Sequence, residues 1–397
     1  MSSLPPGSNS GLSLRKLWFD PNVRSLVFQL IAVLAVVGFF YYIINNALFN
    51  LEQRGITTGF AFLDNSAGFG IIQSLIEYDE SYSFGRTFFV GLLNTILISA
   101  LGVFFATILG FIVGVARLSD NWLVAKIATF YIEIFRNIPL LLQIFFWYFA
   151  VLRTLPSPKQ SLQIGEAAFL NVRGLYLPKT ILEAGSGIVV FAFFACLIAT
   201  VFIFFWSKRR QMLTGKQFPT FLFNAALMIT VPGIVFLLAG SPVHLEYPEL
   251  KGFNFKGGLT VIPELAALLI ALTVYTASFI AEIVRSGIVA VNKGQSEASI
   301  SLGLSKTQTL KLVVIPQAMR VIIPPLTSQY LNLTKNSSLA TAIGYPDLVS
   351  VFMGTTLNQT GQAIEVIAMT MGVYLTISIS TSIVMNIYNR KMSLVER

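Results

Sequence analysis

Long runs of apolar residues with almost no charge dominate this chain, and they fix the surroundings in which it can fold. A membrane hydrocarbon core of about 30 Å is crossed by about 20 apolar residues in a helix. Only 11% of the residues are charged, against about a quarter in soluble chains. The sequence therefore predicts an all-α transmembrane protein. Six segments reach the required length with at most one charge: Leu26–Leu48, Thr87–Ala116, Gly187–Trp206, Phe218–Gly240, Leu265–Val284 and Val366–Tyr388.

Two further apolar segments carry charges or prolines but are long enough to cross a membrane. The first, Lys126–Val151, contains Glu133 and Arg136. The second, Val321–Ile343, contains Pro324, Pro325 and Lys335. We predict that this second segment is bent or partly unwound, as a backbone that lines a protein-covered cavity can be. Together they bring the predicted number of spans to eight.

The basic residues predict the side on which each loop lies, because cytoplasmic loops are enriched in Lys and Arg. With a cytoplasmic N-terminus, 17 of the 27 basic residues lie inside, 8 lie outside and 2 lie within spans. Acidic residues show the reverse, with 4 inside and 12 outside. Both termini are therefore predicted to be cytoplasmic. The long loops predicted to lie outside are Phe49–Arg86, Arg153–Ser186 and Ser241–Glu264.

The spans and loops divide the chain into three parts. The first is a cytoplasmic tail, the second is a span with its outside loop, and the third holds the remaining spans. The third part contains an insertion with two spans and a structured cytoplasmic loop. The predicted bounds are 1–24, 25–86 and 87–397 for the three parts, about 153–262 for the insertion and 294–316 for the loop.

The chain is poor in residues that hold metals or form disulfides. Cys196 is the single cysteine and lies in an apolar run, while the single histidine, His244, lies in a loop. No internal disulfide framework or His-rich metal site is possible. The net charge of +9 is spread between apolar segments rather than gathered on one face of a soluble domain, which argues against nucleic-acid binding. No cofactor or metal is predicted to bind this chain.

The cytoplasmic loop between the sixth and seventh spans has the strongest local pattern in the chain. It reads GQSEASISLGLSKTQTLKLVVIPQAMR, from Gly294 to Arg320, and predicts two short helices. Ser296 is the predicted cap of the first helix, and Gly303 suits its left-handed exit. Ser305 and Gln308 form an S-x-x-Q capping box for the second helix. Pro316 is predicted to end that helix near the membrane surface.

This loop resembles the EAA loop of bacterial ATP-binding-cassette importer permeases. Ser299 stands where that pattern has a second alanine, and Ile315 replaces its usual leucine. The matching positions are Glu297, Ala298, Gly303, Val313, Ile315 and Pro316. The resemblance implies that the first helix docks on a cytoplasmic ATPase dimer and transmits its closure to the spans. The residues expected to carry this coupling are Gly294, Gln295, Glu297, Ala298, Gly303 and Pro316.

A nucleotide-binding motif is missing from the sequence. No G-x-x-x-x-G-K-S/T is present, and Gly215-Lys216-Gln217 lacks both the upstream glycine and the hydroxyl residue. The chain is therefore predicted to be a transport subunit without enzymatic activity. ATP and Mg²⁺ are expected on the partner ATPase.

Segments around the loop narrow the resemblance to permeases for polar L-amino acids. They are Asn94–Ser99 (NTILIS), Phe135–Phe149, Ser278–Ile288 (SFIAEIVRSGI) and Leu331–Leu348. The resemblance implies a type I importer core of five helices, formed by the second, third, sixth, seventh and eighth spans, with the other spans added. The enlarged layout is similar to the long permease subunit of general L-amino-acid importers in bacterial inner membranes. Such subunits work beside a second, different permease and a periplasmic amino-acid-binding protein.

Ionisable residues at membrane depth are costly and usually face a cavity or a partner. Arg136 precedes Asn137 and Pro139, a predicted helix break. We expect Arg136 to meet a substrate carboxylate and Glu282 to meet its ammonium group. A structural alternative pairs each with a neighbour three positions away, Glu133 with Arg136 and Glu282 with Arg285. The full set of predicted substrate-path residues is Asn94, Arg136, Glu282, Lys335 and Ser338.

Other classes of membrane protein fit the sequence less well. A secondary transporter driven by an ion gradient needs paired broken helices in two repeated halves, and one candidate broken span with no repeat is seen. A channel needs a selectivity filter, and no segment resembles one. A membrane enzyme needs a cluster of acid, base, nucleophile or metal ligands, which one His and one Cys do not supply.

Overall fold

The computed structural model describes residues 21–53, 55, 58–165, 167–183 and 185–392. The first 20 residues of the predicted tail and residues 393–397 lie outside this range. Within it, twelve α-helices are present. Their bounds are α1 Pro21–Gln53, α2 Phe84–Ala116, α3 Trp122–Asn137, α4 Leu140–Phe145, α5 Ser186–Thr214, α6 Thr220–Leu238, α7 Pro263–Val289, α8 Lys293–Ser301, α9 Lys306–Thr309, α10 Ile315–Asn336, α11 Leu357–Thr360 and α12 Ala363–Met392.

Seven helical segments of the described chain are long and apolar enough to cross a membrane, and they confirm the transmembrane prediction. The remaining predicted span, Lys126–Val151, is broken into two helical parts. Residues 122–137 and 140–154 bend by 105° at a short gap between them. Ile138 is extended there and Pro139 follows, as the predicted break at Asn137 and Pro139 required. Proline disfavours the helical conformation in the residue before it, so the helix stops.

The predicted bend in Val321–Ile343 lies elsewhere than expected. Helix α10 runs through Pro324 and Pro325 without interruption. The tightening comes later, in a 3₁₀-helical segment over Ser337–Ile343 that ends at Gly344. The prolines therefore do not unwind this span; the change in helix type lies at its C-terminal end.

The described residues of the loops that flank α5 and α6 form eight short β-strands, none of which was predicted. They form three small sheets with the strand orders β1-β2-β3-β8, β4-β5 and β6-β7. Pairing of β3 with β8 and of β4 with β5 joins the loop before α5 to the loop after α6. The strands are β1 Leu162–Ile164, β2 Ala168–Asn171, β3 Gly174–Leu177, β4 Lys179–Leu182, β5 Val243–Glu246, β6 Glu249–Lys251, β7 Asn254–Lys256 and β8 Leu259–Val261.

Helices α2 and α7 form the centre of the helical core. Ala267, Leu268, Ala271 and Leu272 of α7 are fully buried. Helix α7 also packs against α3, α4 and α10. In contrast, α1 and the α5–α6 pair expose most of their large apolar side chains. Such surfaces are suited to contact with lipid.

The loop between α1 and α2 folds back over one end of the helical core. Phe62 of this loop packs with Phe84, Phe352 and other buried apolar residues. The Gly59 nitrogen donates a hydrogen bond to Glu365 Oε1 at 2.7 Å, at the start of α12. This loop therefore closes one end of the core over the 344–362 connector between α10 and α12.

Candidate functional site

The loop between α7 and α10 begins with a well-capped short helix. Asn292 caps α8, because its Oδ1 accepts a hydrogen bond from the Gly294 nitrogen at 2.8 Å. The prediction that Ser296 is the cap is wrong, since α8 starts about one turn earlier and Ser296 lies inside it. Gly303 turns the chain at φ +83°, as predicted. This left-handed conformation carries little steric cost for glycine.

The second arm of this hairpin has the predicted start but a different end. The Ser305 nitrogen donates to Gln308 Oε1 at 2.9 Å, and Ser305 Oγ accepts from the Gln308 nitrogen at 3.3 Å. The capping box is thus confirmed. The prediction that Pro316 ends the arm is wrong, because α9 continues through a π-helical turn, Leu310–Val314, into α10. Pro316 lies in the first turn of α10, where a missing backbone N–H is tolerated.

A hydroxyl pair ties the two arms of the hairpin together. Ser299 Oγ donates to Thr309 Oγ1 at 3.0 Å, and both residues are buried. Ser299 is the position where the sequence departs from the second alanine of the EAA pattern. An alanine there could not make this bond, so the departure has a structural role in this chain.

The solvent-accessible surface of the hairpin carries apolar side chains. Leu302 is 83% exposed and Ile300 is 52% exposed. Exposed apolar side chains on a loop are suited to contact with a partner protein. Five of the six predicted coupling residues are exposed on this hairpin and Pro316 is half-buried; the five are Gly294, Gln295, Glu297, Ala298 and Gly303. The structure therefore brings the predicted coupling residues together on one accessible element.

Arg136 lies at the broken end of α3. Its guanidinium carbon is 5.2 Å from the centre of the Phe279 ring of α7, a cation–π arrangement. No ion pair joins it to Glu133 within the described structure, and both side chains are exposed. Gln143, which was not among the predicted site residues, spans the break between α3 and α4 with hydrogen bonds. Its Nε2 donates to the carbonyls of Phe135 and Ile138, both at 3.0 Å.

Glu282 of α7 is held by two arginines. Arg285 Nη2 donates to its Oε1 at 2.6 Å, which confirms the neighbour pairing considered for these two residues. Arg117, at the end of α2, pairs with its Oε2. Both carboxylate oxygens of Glu282 therefore already face a guanidinium group.

Lys335 and Ser338 lie where α10 passes into the 3₁₀ segment. Lys335 is exposed and Ser338 is partly buried. Ser338 Oγ donates to the Lys335 carbonyl at 2.7 Å. The two residues are thus neighbours at the C-terminal end of this span, and Lys335 is accessible.

Asn94 is fully buried and braces the main chain. Its Nδ2 donates to the carbonyls of Gln73 and Pro346, both at 2.9 Å. The next residue, Thr95, accepts a hydrogen bond from the Leu348 nitrogen at 3.0 Å. Asn94 therefore joins α2 to both the loop after α1 and the 344–362 connector.

Asp347 is a buried acid that sequence reasoning missed. Its side chain is 0% exposed, and Oδ1 accepts a hydrogen bond from the Ser350 nitrogen at 2.8 Å. Burial raises the pKa of Asp347 from 3.8 to about 7, and hydrogen bonds oppose this rise. The Pro-Asp pair after Gly344 was the only local signal, since Tyr374 and Thr341 beside the carboxylate belong to other elements.

Comparison with known proteins identifies the class to which this geometry belongs. The sequence profile described as "Binding-protein-dependent transport system inner membrane component" matches residues 106–394. This chain belongs to that family. The match includes the whole hairpin and Glu282. The family predicted from the EAA loop is thereby confirmed, and the chain is a membrane-embedded transport subunit rather than an enzyme.

Two relatives match along almost their full lengths. YhdX of Escherichia coli K12 is 57% identical over 380 residues, 95% of this chain and 96% of the relative. The general L-amino acid transport system permease protein AapQ of Rhizobium johnstonii is 49% identical over 392 residues, 99% of this chain and 98% of the relative. Among solved structures, an amino acid ABC transporter with histidines aligns at a TM-score of 0.46 and 18% identity over 78% of this chain and 95% of that chain.

Proposed function

We propose that this chain is a transmembrane subunit of an ATP-driven importer of polar L-amino acids in a bacterial inner membrane. Membership of the binding-protein-dependent transport family supports import with an outside binding protein. The relative named as a general L-amino acid permease supports the substrate class. The observation that carries the proposal is the hairpin α8–α9, which presents exposed apolar side chains from an ordered, hydrogen-bonded frame.

The partners follow from this assignment. A cytoplasmic ATPase dimer docks on the hairpin and holds ATP and Mg²⁺. A second, related permease completes the transmembrane path, and a periplasmic binding protein delivers the amino acid. Both termini and the hairpin lie in the cytoplasm, in agreement with the basic residues of the sequence.

The docking surface is tested by placing a charge on it. Leu302→Asp puts a carboxylate on the most exposed apolar residue of the hairpin, and burying an unpaired charge at an interface costs several kcal/mol. We expect ATPase co-purified with the complex to fall by at least about tenfold, the equivalent of about 1.4 kcal/mol. Leu213→Asp is the matched control, because Leu213 is 76% exposed near the end of α5 and lies outside the hairpin. Equal ATPase recovery with both variants would refute docking at this surface.

The substrate path is proposed to pass the broken helix α3–α4, with Arg136 meeting the carboxylate. Support comes from the accessible guanidinium at the break and from the exposed Lys335 and adjacent Ser338 near the outer end of α10. Arg136→Gln is expected to reduce uptake by at least about tenfold, which a lost contact of about 1.4 kcal/mol produces, at unchanged membrane abundance and ATP hydrolysis. Lys126→Gln is the control, since Lys126 is an exposed base on the same helix. Unchanged uptake by Arg136→Gln removes it from the path.

A further inference from the structure

Close packing joins α2 to α7 along their inner halves. A Cβ atom added at Gly110 would lie 2.6 Å from Ile280 Cβ, and one added at Gly114 would lie 2.7 Å from the Ala281 carbonyl oxygen. Real Cβ atoms do not approach so closely, so these two backbones are in direct contact. The facing residues of α7 are fully buried. The two helices cannot slide past each other without breaking this interlocked surface.

A similar contact joins α7 to α10. A Cβ atom at Gly287 would collide with the Ile322 side chain and lie 3.3 Å from the Ala318 carbonyl oxygen. Ala318 and Ile322 are 1% and 2% exposed. Helices α2, α7 and α10 therefore form one interlocked block, whereas the span formed by α3 and α4 is broken.

Two helices of this block, α7 and α10, are joined to the hairpin by the chain, whereas α2 is not. Three residues separate α7 from α8, and α9 continues through a helical turn into α10. Helix α2 instead ends at Ala116 and leads into the loop before α3. Any force applied to the hairpin reaches α7 and α10 through the chain itself. It reaches α2 only through contacts between the packed helices.

Glu282 supplies a charged contact at the C-terminal end of α2. Arg117 is the C-cap residue of α2, directly after Ala116, and it pairs with Glu282 Oε2 across 165 positions of sequence. Arg285, one turn along α7, holds Oε1 through bonds of 2.6 and 3.2 Å. The three side chains are only 20–31% exposed, so water screens the pair less than at an open surface.

We infer that Glu282 is a positioning residue that fastens the C-terminal end of α2 to α7, which carries the hairpin together with α10, so that α2, α7 and α10 move as one body during transport. The inference rests on the proposed ATP-driven function. Its consequence is that Arg117 and Glu282 stay together in every state of the transport cycle. A substrate-contacting glutamate would instead exchange its partner when the amino acid passes.

The first test removes the bridge between Arg117 and Glu282 from both of its ends; Arg285, which is 31% exposed, loses its carboxylate partner. Arg117→Gln/Glu282→Gln neutralises both partners, and removal of both members of such a pair is far less disruptive than removal of one. In the reconstituted full complex we expect ATP hydrolysis to persist while the ATP consumed per imported amino acid rises about fivefold or more, the lower range of measured coupling between sites. Glu133→Gln is the control, because Glu133 is an exposed carboxylate that forms no ion pair in the described part of the chain.

The second test replaces the bridge by a covalent link. Arg117→Cys/Glu282→Cys in a Cys196→Ala background leaves two thiols in the chain, which a short bifunctional thiol reagent can join. We expect low uptake before cross-linking and recovery to at least half of the parent's uptake after it, since the linked pair restores the single body. Single-cysteine variants treated with the reagent should show no recovery.

Three results would overturn the inference. They are an unchanged ATP-to-amino-acid ratio in the double glutamine variant, loss of that variant from the membrane, and abolition of uptake by the cross-link. A change in the KM for the amino acid with an unchanged ratio would instead assign Glu282 to the substrate. A parent complex that imports no amino acid with ATP refutes the proposed function, and that outcome is separate from the behaviour of the variants.

Discussion

The contact of Gly110 with α7 makes the sharpest stability prediction. An added Cβ would lie 2.6 Å from both Cβ and Cγ2 of Ile280 and 3.1 Å from the Ala277 carbonyl oxygen. Carbon atoms in ordinary contact are about 3.5–4.0 Å apart, so Gly110→Ala forces α2 and α7 apart by about 1 Å. Overpacking of this kind costs about 1–3 kcal/mol. The higher helix propensity of alanine relative to glycine offsets about 1 kcal/mol of this cost.

A second glycine separates these two effects. Gly372 lies in α12, and no atom of another part of the structure lies within 4 Å of an added Cβ. Gly372→Ala therefore changes stability through helix propensity alone. We expect the unfolding free energy of Gly110→Ala to be about 1–3 kcal/mol below that of Gly372→Ala. Thermal unfolding of the purified complex, followed by the melting of each variant, measures the difference. In an Ile280→Ala background the cost of Gly110→Ala should shrink, because Cγ2 is gone. Identical melting of the two glycine variants would refute the interlocked α2–α7 contact.

Three other substitutions test the hairpin, the brace and the buried acid. Gly303→Asp forces a non-glycine residue into φ +83°, at a cost of about 1–2 kcal/mol, and a pull-down should recover at least about fivefold less ATPase; full recovery contradicts the turn's role. Asn94→Leu strands two main-chain carbonyls, and thermal unfolding should show a loss of about 2–4 kcal/mol; unchanged stability means the brace is not needed. Because burial raises the pKa of Asp347 from 3.8 to about 7, folded-state stability falls as pH rises through that window. Asp347→Asn should therefore raise the melting temperature more at pH 8 than at pH 5, and an equal effect at both pH values would contradict this.

The spans were predictable from sequence because the bilayer imposes a length and a polarity on each of them separately. The turn at Gly303, the capping box at Ser305 and the break before Pro139 were equally predictable, since each is decided by residues within one turn. The cap at Asn292 was missed because Ser296, about one turn away, offers the same chemistry. The prediction that Pro316 ends a helix failed because proline is common both just after a helix and in the first turn of the next one.

Contacts between distant parts of the chain could not be predicted. Arg117 meets Glu282 across 165 positions, and Asn94 meets Pro346 across 252. Neither partner has a local pattern that points to the other. The β-strands in the loops around α5 and α6 have three or four residues, which is too short to show an alternating pattern. Pairing between the two loops holds them. The hairpin residues of the candidate site could therefore be predicted from sequence, whereas the partners of the intramembrane charges could not.

Uptake by the reconstituted complex tests the central claim most directly. The chain is assembled in vesicles with its ATPase, its second permease and the outside binding protein, and a labelled polar L-amino acid is supplied outside. Accumulation should require ATP on the side of the α8–α9 hairpin and should stop when the Leu302→Asp variant replaces the parent chain. Accumulation driven by an imposed ion gradient without ATP, or unaffected by removal of the ATPase, would contradict the assignment.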